Sequence, residues 1–392
     1  MMASCPSAST RHPLSINAGK FQVFRRHPGP PMRPGLALLH GALARIAGKL
    51  QEALMDDLAE KVRRLGDPAI YAGATRQVEV RETHMSWIFL TDSRVYKLKK
   101  PVRNSFLDFS TLARRHFFCL EELRLNRRLA HPTYLSVVPL RRSRTGELSL
   151  GGDGSVVDWL VEMKRLPGDD MMDERIRQGR ITPREVENVG TILANFYADC
   201  PPLIAEGDAY LQHLVEEQRI NRAMLLRPDF GLGEIAGPAL DTVDTVMASL
   251  LPRIKERIAN GRIVEGHGDL RPEHVCLTAP PQIIDCLEFN RSMRIIDPYD
   301  EVNYLGMECD MLGASWIRPS LNRMLEQRLG NRPEAGLLAL YAGFRALLRA
   351  RICIVHLLER PPRRPEKWRP LTIAYIGQVE RECVSLQCRA DR

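Results

Sequence analysis

The sequence predicts an α+β protein of two lobes, in which a small antiparallel sheet with one helix precedes a larger, mostly helical lobe. Three features of the chain indicate this fold. Short β-rich runs separated by turn residues fill the stretch from Val78 to Pro167, with one helical segment among them. From Thr182 onward, apolar residues recur mostly with helical spacing. The polar stretch "HGDLRPEHVCL", residues 267–277, interrupts the helical part between two short strands.

Five strands and one helix are predicted for the first lobe. "VEVRE", "SWIFLTD" and "RVYKLKKPV" are three successive β-rich runs. "DFSTLARRHFFCLEELRLNRRLA", residues 108–130, follows as a helix with apolar residues near one face: Phe117, Leu120, Leu123 and Leu129. "YLSVVPLRRS" and "SVVDWLVEMKRLP" predict two more strands, because Thr145-Gly146 and "GGDG" between them are turn signals.

The second lobe opens with a helix start. Thr182 can cap the helix, Pro183 suits its first turn and Glu185 can close a capping box, so a helix is predicted to about Asp199. Two short strands are expected around "RIVEGHG" and "PQIIDCLEF", on either side of the polar stretch. Apolar spacing predicts further helices at 207–227, 238–260, 335–358 and 370–386.

The net charge of +8 is concentrated at the N terminus. Residues 1–50 contain seven Lys or Arg and no Asp or Glu, which leaves 49 basic and 48 acidic residues in the remainder. This nearly neutral remainder argues against a nucleic-acid partner. No apolar run reaches the roughly 18 residues of a membrane span. The nine cysteines form no CxxC pair, which is typical of reduced thiols in a cytoplasmic protein.

Three segments are expected along the 392 residues. A basic extension at 1–54 is predicted to be disordered or poorly ordered, because it is rich in Ser, Pro, Arg and Gly. The first lobe is expected at 55–165 and the helical lobe at 166–392. For the extension, three interpretations stay open: a flexible tail, a targeting peptide, or a start codon assigned too early, with Met55 as the alternative start. The oligomeric state is not predicted.

A small β-rich lobe followed by a larger helical lobe with a polar loop is the plan of a bilobal kinase. Phosphoryl transfer needs a cation on the phosphates, carboxylates on the metal ions, and a carboxylate that orients the attacking hydroxyl. Asp269 is the candidate for orienting that hydroxyl and accepting its proton. Asp285 lies 16 residues further on, after an apolar strand, and is the candidate ligand of Mg²⁺, which prefers oxygen atoms.

Two candidate phosphate-binding lysines lie on the third strand. Period-two alternation puts Val95, Lys97 and Lys99 on one face. Lys97 is preferred, because Val95 then lies two residues earlier, where the adenine pocket requires a small apolar side chain. Lys99 stays open as the alternative. Of two glutamates on the following helix, Glu122 rather than Glu121 is predicted to pair with the lysine and fix its ammonium group.

The motifs "HGDLRPEHVCL", "QIIDCLEFN" and "DPYDEVNYL" resemble the aminoglycoside phosphotransferase/choline kinase-like superfamily. The resemblance spans residues 55–385 and is strongest to a bacterial aminoglycoside-phosphotransferase-like branch. It implies a protein-kinase-like fold, ATP as the donor and a small-molecule acceptor. It also implies a catalytic role for Asp269 and a metal-binding role for Asp285. The segment "EMKRL" (162–166) corresponds to the hinge, where the backbone of Glu162 and Met163 would meet the adenine.

The chain departs from the superfamily pattern in two places. "ETHMS" stands where a glycine-rich phosphate loop is usual, so the backbone amides from His84 to Ser86 are the candidates for that role. His274 stands where the superfamily has a metal-binding asparagine. If His274 binds the metal directly, Mn²⁺ is expected to be favoured over Mg²⁺. Alternatively, His274 hydrogen-bonds Asp269 or a metal-bound water, and Asp285 with Glu288 holds a single Mg²⁺.

Three functions are compatible with these residues. The first is a small-molecule kinase, and the second is a pseudokinase or nucleotide-binding module without turnover. The third is a metal-dependent hydrolase that uses His267, Asp269, His274 and Asp285 as ligands. The charge of the acceptor is left open, because acidic residues follow the hinge whereas two arginines share a face of a late helix: Asp169, Asp170, Asp173 and Glu174, against Arg345 and Arg349.

Overall fold

The structure is a computed structural model that describes residues 56–390, apart from 72, 74, 105, 106, 360, 361 and 363. The predicted extension at 1–54 lies outside this part of the chain. Helix α1 covers residues 56–65 and contributes apolar side chains to the core of the first lobe: Leu58, Val62 and Leu65. No helix within the described residues has the length and apolar character needed to span a membrane.

Six strands form the sheet of the first lobe. They are β1 (Glu79–Glu82), β2 (Ser86–Leu90), β3 (Arg94–Lys99), β4 (Tyr134–Arg142), β5 (Leu148–Leu150) and β6 (Ser155–Lys164). Their order across the sheet is β1-β2-β3-β6-β4-β5, and all neighbouring strands are antiparallel. The sequence predicts five of these strands and misses β5, which has only three residues.

Helix α2 (Leu112–Ala130) packs against β4 and β6 of this sheet. The apolar side chains predicted near one face do not all turn inward, because Phe117 and Leu120 are 57% and 45% exposed. The buried face instead includes the polar residues Glu122 and Asn126, which are both fully buried. Glu122 pairs with Lys97 and Lys99 on β3, whereas Asn126 accepts the backbone N–H of Cys286 in the second lobe.

The second lobe is mostly helical. Its helices are α3 (Met172–Arg177), α4 (Pro183–Asp199), α5 (Gly207–Leu225), α6 (Gly233–Ala259), α7 (Pro298–Met311), α8 (Ile317–Leu329), α9 (Ala335–Val355) and α10 (Pro365–Ala390). The capping box at the start of α4 is formed as predicted by Thr182 and Glu185. The sequence misses α3, α7 and α8, and α7 is nearly all buried, so it lacks the amphipathic spacing on which helix prediction relies.

Two short antiparallel pairs lie between α6 and α7. Strand β7 (Val264–Glu265) pairs with β10 (Ile295–Ile296), and β8 (Val275–Cys276) pairs with β9 (Gln282–Ile283). The stretch 267–277 therefore leaves β7 and leads into β8. The predicted α+β fold of a small antiparallel-sheet lobe and a larger helical lobe is confirmed. The sheet lobe contains α1 in addition to the one predicted helix, α2.

Candidate active site

The start of the polar loop is fixed by one buried carboxylate. Glu301 on α7 is fully buried and accepts hydrogen bonds from the backbone N–H of His267, at 2.9 and 3.1 Å, and from that of Gly268. Tyr197 on α4 donates to the same carboxylate at 2.7 Å. Gly268 has φ +91°, and a Cβ there would meet Arg294 Cγ at 3.0 Å, so this turn requires glycine.

The ring of His267 links the polar loop to the strand that leads to Asp285. Its Nε2 is 2.9 Å from the carbonyl oxygen of Ile284, and its Nδ1 accepts the backbone N–H of Asp269 at 3.3 Å. The ring therefore carries its proton on Nε2 and is neutral. Burial lowers the pKa of His267, which favours the same state. His267 is thus a positioning residue between the two predicted aspartates.

The carboxylate of Asp269 is partly exposed and paired with a cation. Its side chain is 29% exposed, and Oδ1 lies 3.0 Å from Arg271 Nε. Tyr304 on α7 donates to Oδ1 at 3.3 Å. Burial acts to raise the pKa of Asp269, but Arg271, His274 and Arg349 outweigh it and hold that pKa below its ordinary value. Asp269 is therefore ionised at neutral pH.

His274 lies between the two aspartates. Its Nδ1 donates to the backbone carbonyl oxygen of Asp269 at 2.7 Å, so Nε2 carries the lone pair. That Nε2 accepts from Arg271 Nη2 at 3.2 Å and lies 3.6 Å from Asp285 Oδ2. Both arrangements predicted for His274 remain predictions. The imidazole bonds to the backbone of Asp269 rather than to its carboxylate, while its lone pair faces toward Asp285.

The backbone at Asp285 is held in the left-handed region, with φ 62°. Its N–H donates to the hydroxyl of Tyr134 at 3.1 Å, and the next N–H, that of Cys286, donates to Asn126 Oδ1 at 2.8 Å. Non-glycine residues rarely adopt this conformation, and such residues cluster at functional sites. The structure thus fixes Asp285 from the first lobe, through side chains on β4 and α2.

Lys97 connects the sheet to Asp285. Its Nζ donates to Asp285 Oδ1 at 2.6 Å and forms an ion pair with Glu122 Oε1 at 3.0 Å. Burial acts to lower the pKa of Lys97, but Asp285 and Glu122 outweigh it and raise that pKa. Burial likewise acts to raise the pKa of Asp285, and Lys97 and His274 lower it. Both partners of this pair are therefore charged.

The neighbouring Lys99 is fully buried and has two carboxylate partners. Its Nζ donates to Glu122 Oε2 at 2.5 Å and to Glu288 Oε1. The sequence assigned Glu288 to the metal, and the structure pairs it with this lysine. The glutamate predicted to pair with a lysine, Glu122, contacts both Lys97 and Lys99, whereas Glu121 pairs with Arg124 on the outer face of α2.

The predicted adenine-binding residues Val95, Glu162 and Met163 lie on the two central strands of the sheet, β3 and β6. Val95 is opposite Met163 in the β3–β6 register, and both belong to an apolar cluster with Ile284. Glu162 accepts hydrogen bonds from Tyr96 and Ser136, at 3.2 and 2.7 Å. The adenine pocket itself stays a prediction.

We call the solvent-exposed space beside Asp269 and Asp285 the cleft. Other predicted residues have partners that do not lie in this cleft. The N–H of Ser86 donates to the Thr83 hydroxyl at 3.0 Å, so it is already used within the β1–β2 turn. Arg345 is bonded to Asp300 inside the second lobe. Three of the acidic residues after the hinge pair with Arg175 or Arg177, as expected at a helix start: Asp170, Asp173 and Glu174.

The side chains of this site suit a divalent cation that is bound through few protein ligands. Among the described residues, no group of three or more His, Cys, Asp or Glu side chains is arranged to hold a metal ion. Asp285 is 45% exposed and supplies carboxylate oxygen, the ligand type that Mg²⁺ prefers, and Mg²⁺ keeps several waters. The residues present therefore fit Mg²⁺ held through few protein ligands, and they do not fit a closed protein cage.

A surface depression of about 360 Å³ lies between α1 and β5, away from this site. It is lined by residues that include Arg63, Arg64 and Glu147, and it contains none of the predicted site residues. Charge and hydrogen-bond geometry locate the candidate site instead, since Lys97, Glu122, Asp285, His274 and Asp269 form one connected chain of contacts.

Comparison with known proteins gives relatives of unknown function. No family model matches the chain. Uncharacterized proteins of Mycobacterium bovis and Mycobacterium tuberculosis are 27% identical to it over 314 residues, which are 76% of this chain. The chain spans only 59% of the length of these curated relatives, so they carry further sequence outside the similar part.

Solved structures with a similar course of the chain are small-molecule kinases by name. A choline/ethanolamine kinase family protein from Mesorhizobium loti has 14% identity and a TM-score of 0.46, covering 84% of this chain and 94% of its own. The aminoglycoside phosphotransferase APH(4)-Ia has 10% identity and a TM-score of 0.47, covering 85% and 99%. Their names agree with the resemblance in the sequence, but TM-scores below 0.5 leave the functional conclusion to the site geometry.

Proposed function

We propose that the protein is an ATP-dependent phosphotransferase of the aminoglycoside phosphotransferase/choline kinase-like superfamily that acts on a hydroxyl group of a small molecule. The observation that supports it is the position of Lys97, whose Nζ lies 2.6 Å from Asp285 and 3.0 Å from Glu122. Kinases of the protein-kinase-like fold use a lysine fixed by a helix glutamate beside a metal-binding aspartate. A hydrolase has no use for this lysine.

In the proposed reaction, Lys97 contacts the phosphates of ATP and Glu122 holds its ammonium in place. Asp285 would hold Mg²⁺, and the ion would supply positive charge against the phosphates. Asp269 orients the acceptor hydroxyl and accepts its proton. The acceptor oxygen then forms a bond to the γ-phosphorus, the bond between that phosphorus and the β–γ bridging oxygen breaks, and ADP leaves. His274 keeps the backbone of Asp269 next to Asp285 through the 2.7 Å hydrogen bond.

A nucleotide-binding module without turnover is the second candidate. Two contacts favour it: Arg271 occupies Oδ1 of Asp269 at 3.0 Å, and the superfamily asparagine is replaced by His274. For activity, the acceptor hydroxyl must take a free oxygen of Asp269, whose side chain is 29% exposed. In either case we propose a cytoplasmic protein whose partners are a nucleotide and a small molecule, with neither a nucleic acid nor a membrane involved. The charge of the acceptor stays open.

Asp269→Asn and Asp285→Asn test this function. Each replaces a carboxylate by an amide of equal size, so each is expected to reduce ATP turnover by about 10²-fold or more while folding is retained. Release of phosphate from γ-labelled ATP, with thermal melting of each variant, measures both quantities. Asp153→Asn, at an exposed position in the turn between β5 and β6, is the matched control and should leave turnover unchanged. ATP turnover that survives both substitutions at positions 269 and 285 excludes the kinase function.

A further inference from the structure

Two lysines on one strand contact the same glutamate but differ in their access to the cleft. The side chain of Lys97 is 13% exposed and that of Lys99 is 0% exposed. Glu122 gives one oxygen to each, with Oε1 3.0 Å from Lys97 and Oε2 2.5 Å from Lys99. A phosphate group can therefore reach Lys97 from the cleft, whereas Lys99 lies behind it.

The remaining surroundings of Lys99 leave no room for a phosphate. Its ammonium also donates to Glu288, whose side chain is only 8% exposed, and it lies 5.0 Å from the centre of the Phe109 ring. Burial raises the pKa of Glu288 above its ordinary value, and Lys99 acts against this shift. Burial acts to lower the pKa of Lys99, but Glu122 and Glu288 outweigh it and raise that pKa. Lys99 and Glu288 thus form a closed ion pair.

This ion pair joins the sheet to the segment that carries Asp285. Glu288 lies three residues after Asp285, and the residues between them are held as well. The N–H of Cys286 donates to Asn126 at 2.8 Å, and that of Leu287 donates to the carbonyl oxygen of His267 at 3.0 Å. The segment 285–288 is therefore held by residues of both lobes, and Lys99 holds its last residue, Glu288.

We propose that the Lys99–Glu288 ion pair is a positioning element that sets the place of Asp285 and of Glu122, and that Glu288 does not bind the metal. The inference rests on the proposed phosphotransferase function. In this arrangement Lys97, the lysine that faces the cleft, alone contacts phosphate, and Lys99 behind it keeps Glu122 and Glu288 in place.

The charges in the cluster agree with this division of roles. Two lysines face three carboxylates, those of Glu122, Asp285 and Glu288, which leaves one net negative charge. Asp285 is the most exposed of the three, at 45% against 0% and 8%. The uncompensated charge is therefore available at Asp285, where a divalent cation from solvent can bind it.

The test compares Lys99→Met, Glu288→Met and the double variant in the full-length chain. Each single change leaves a buried charge without its partner and should lower the Tm by about 5 °C or more. The double change removes both charges and should restore the Tm to within about 2 °C of the wild type. Turnover and Mn²⁺ binding to the ADP complex should nevertheless stay about 10- to 100-fold weaker in the double variant, which is the usual effect of losing a group that orients a metal ligand. The Kd for ADP without metal should change by less than about twofold, because Lys97 is untouched.

Three outcomes decide the inference. A double variant that regains both Tm and turnover shows that the pair serves stability alone, and it overturns the proposal. A Lys99→Met variant whose Kd for metal-free ADP rises about tenfold or more makes Lys99 a phosphate ligand and also overturns it. A wild-type protein that neither binds ADP nor turns over ATP refutes the proposed function, and the inference falls with it. Turnover in the wild type together with a stable, weakly active double variant is the expected result.

Discussion

Two groups of buried ion pairs within the described residues are built differently. Inside the second lobe, Arg345 and Asp300 form two parallel bonds of 2.8 and 2.6 Å, with the two side chains 10% and 0% exposed. In the cleft, Glu122 is shared by two lysines, and Asp285 is held by Lys97 while 45% of its side chain is exposed. In the second lobe one acid pairs with one base, whereas in the cleft Glu122 contacts two lysines and Lys97 contacts two carboxylates.

The difference indicates which charges can change partners. Arg345 and Asp300 bond each other through two parallel contacts and are 10% and 0% exposed, so a ligand in solution competes poorly for either. Asp285 and Lys97 each present a charged group at the cleft surface, and each can exchange the other for a cation or a phosphate. We therefore expect substitutions in the lobe to act on stability and substitutions in the cleft to act on binding and turnover.

The largest effect on stability is expected from Arg345→Met. It leaves the carboxylate of Asp300 buried and without its partner, which should lower the free energy of unfolding by about 3–5 kcal/mol. Urea denaturation measures the loss, and the turnover of the remaining folded protein should be normal. Arg345→Met combined with Asp300→Leu, which removes both charges, should recover most of the stability. A loss below about 1 kcal/mol in the single variant would remove the contrast between the two regions.

Lys97→Met should separate binding from stability. Because its ammonium group faces the cleft, we expect the affinity for ADP to fall by about tenfold or more, while the Tm changes less than in Lys99→Met. Isothermal titration with ADP measures the affinity. Lys255→Met, an exposed position on α6, is the control for loss of one positive charge. If Lys99→Met weakens ADP binding more than Lys97→Met does, the two lysines have been assigned in the wrong order.

His274→Asn is expected to have a smaller effect and tests which metal ion the cleft prefers. An asparagine amide can still donate toward the backbone of Asp269, and its oxygen suits Mg²⁺ better than an imidazole nitrogen does. Turnover with Mg²⁺ should therefore be retained or increased, and the ratio of Mg²⁺- to Mn²⁺-supported rates should rise. A variant that turns over ATP when the wild type does not would identify a pseudokinase that is one substitution from activity.

Removal of residues 1–54 is expected to have the smallest effect. The ion pairs of both regions and the predicted site residues all lie in the later part of the chain, so the Tm and the Kd for ADP should equal those of the full-length protein. Differential scanning fluorimetry of both forms, with and without ADP, tests this. A fall of more than about 5 °C in Tm would mean that the extension packs on one of the lobes.

Local patterns in the sequence predicted the parts of the site that depend on short-range geometry. Period-two alternation on β3 placed Lys97 and Lys99 on one face, and both indeed contact Glu122. The capping residues of α4 were read correctly for the same reason, since a cap and its partner lie three residues apart.

Partners distant in sequence were not predictable in this way. Glu301 holds the backbone of His267 from 34 residues away, and Tyr134 holds that of Asp285 from 151 residues away. Neither contact leaves a periodic or spacing signal in a single sequence. The sequence predicts Glu288 as a metal ligand. In the structure its buried partner is Lys99, 189 residues away.

The left-handed backbone at Asp285 also determines which amino acids the position tolerates. At φ 62° a β-branched side chain is strongly disfavoured, most other side chains cost about 1–2 kcal/mol, and Gly, Asn and Asp are the least strained. Folding therefore tolerates Gly, Asn or Asp at this position, whereas the proposed function requires Asp. A protein with Gly or Asn at 285 can persist as a folded, inactive relative, whereas Val or Ile would be removed through misfolding. Inactive descendants of such a chain are thus expected to retain a small set of residues at this position long after their chemistry has been lost.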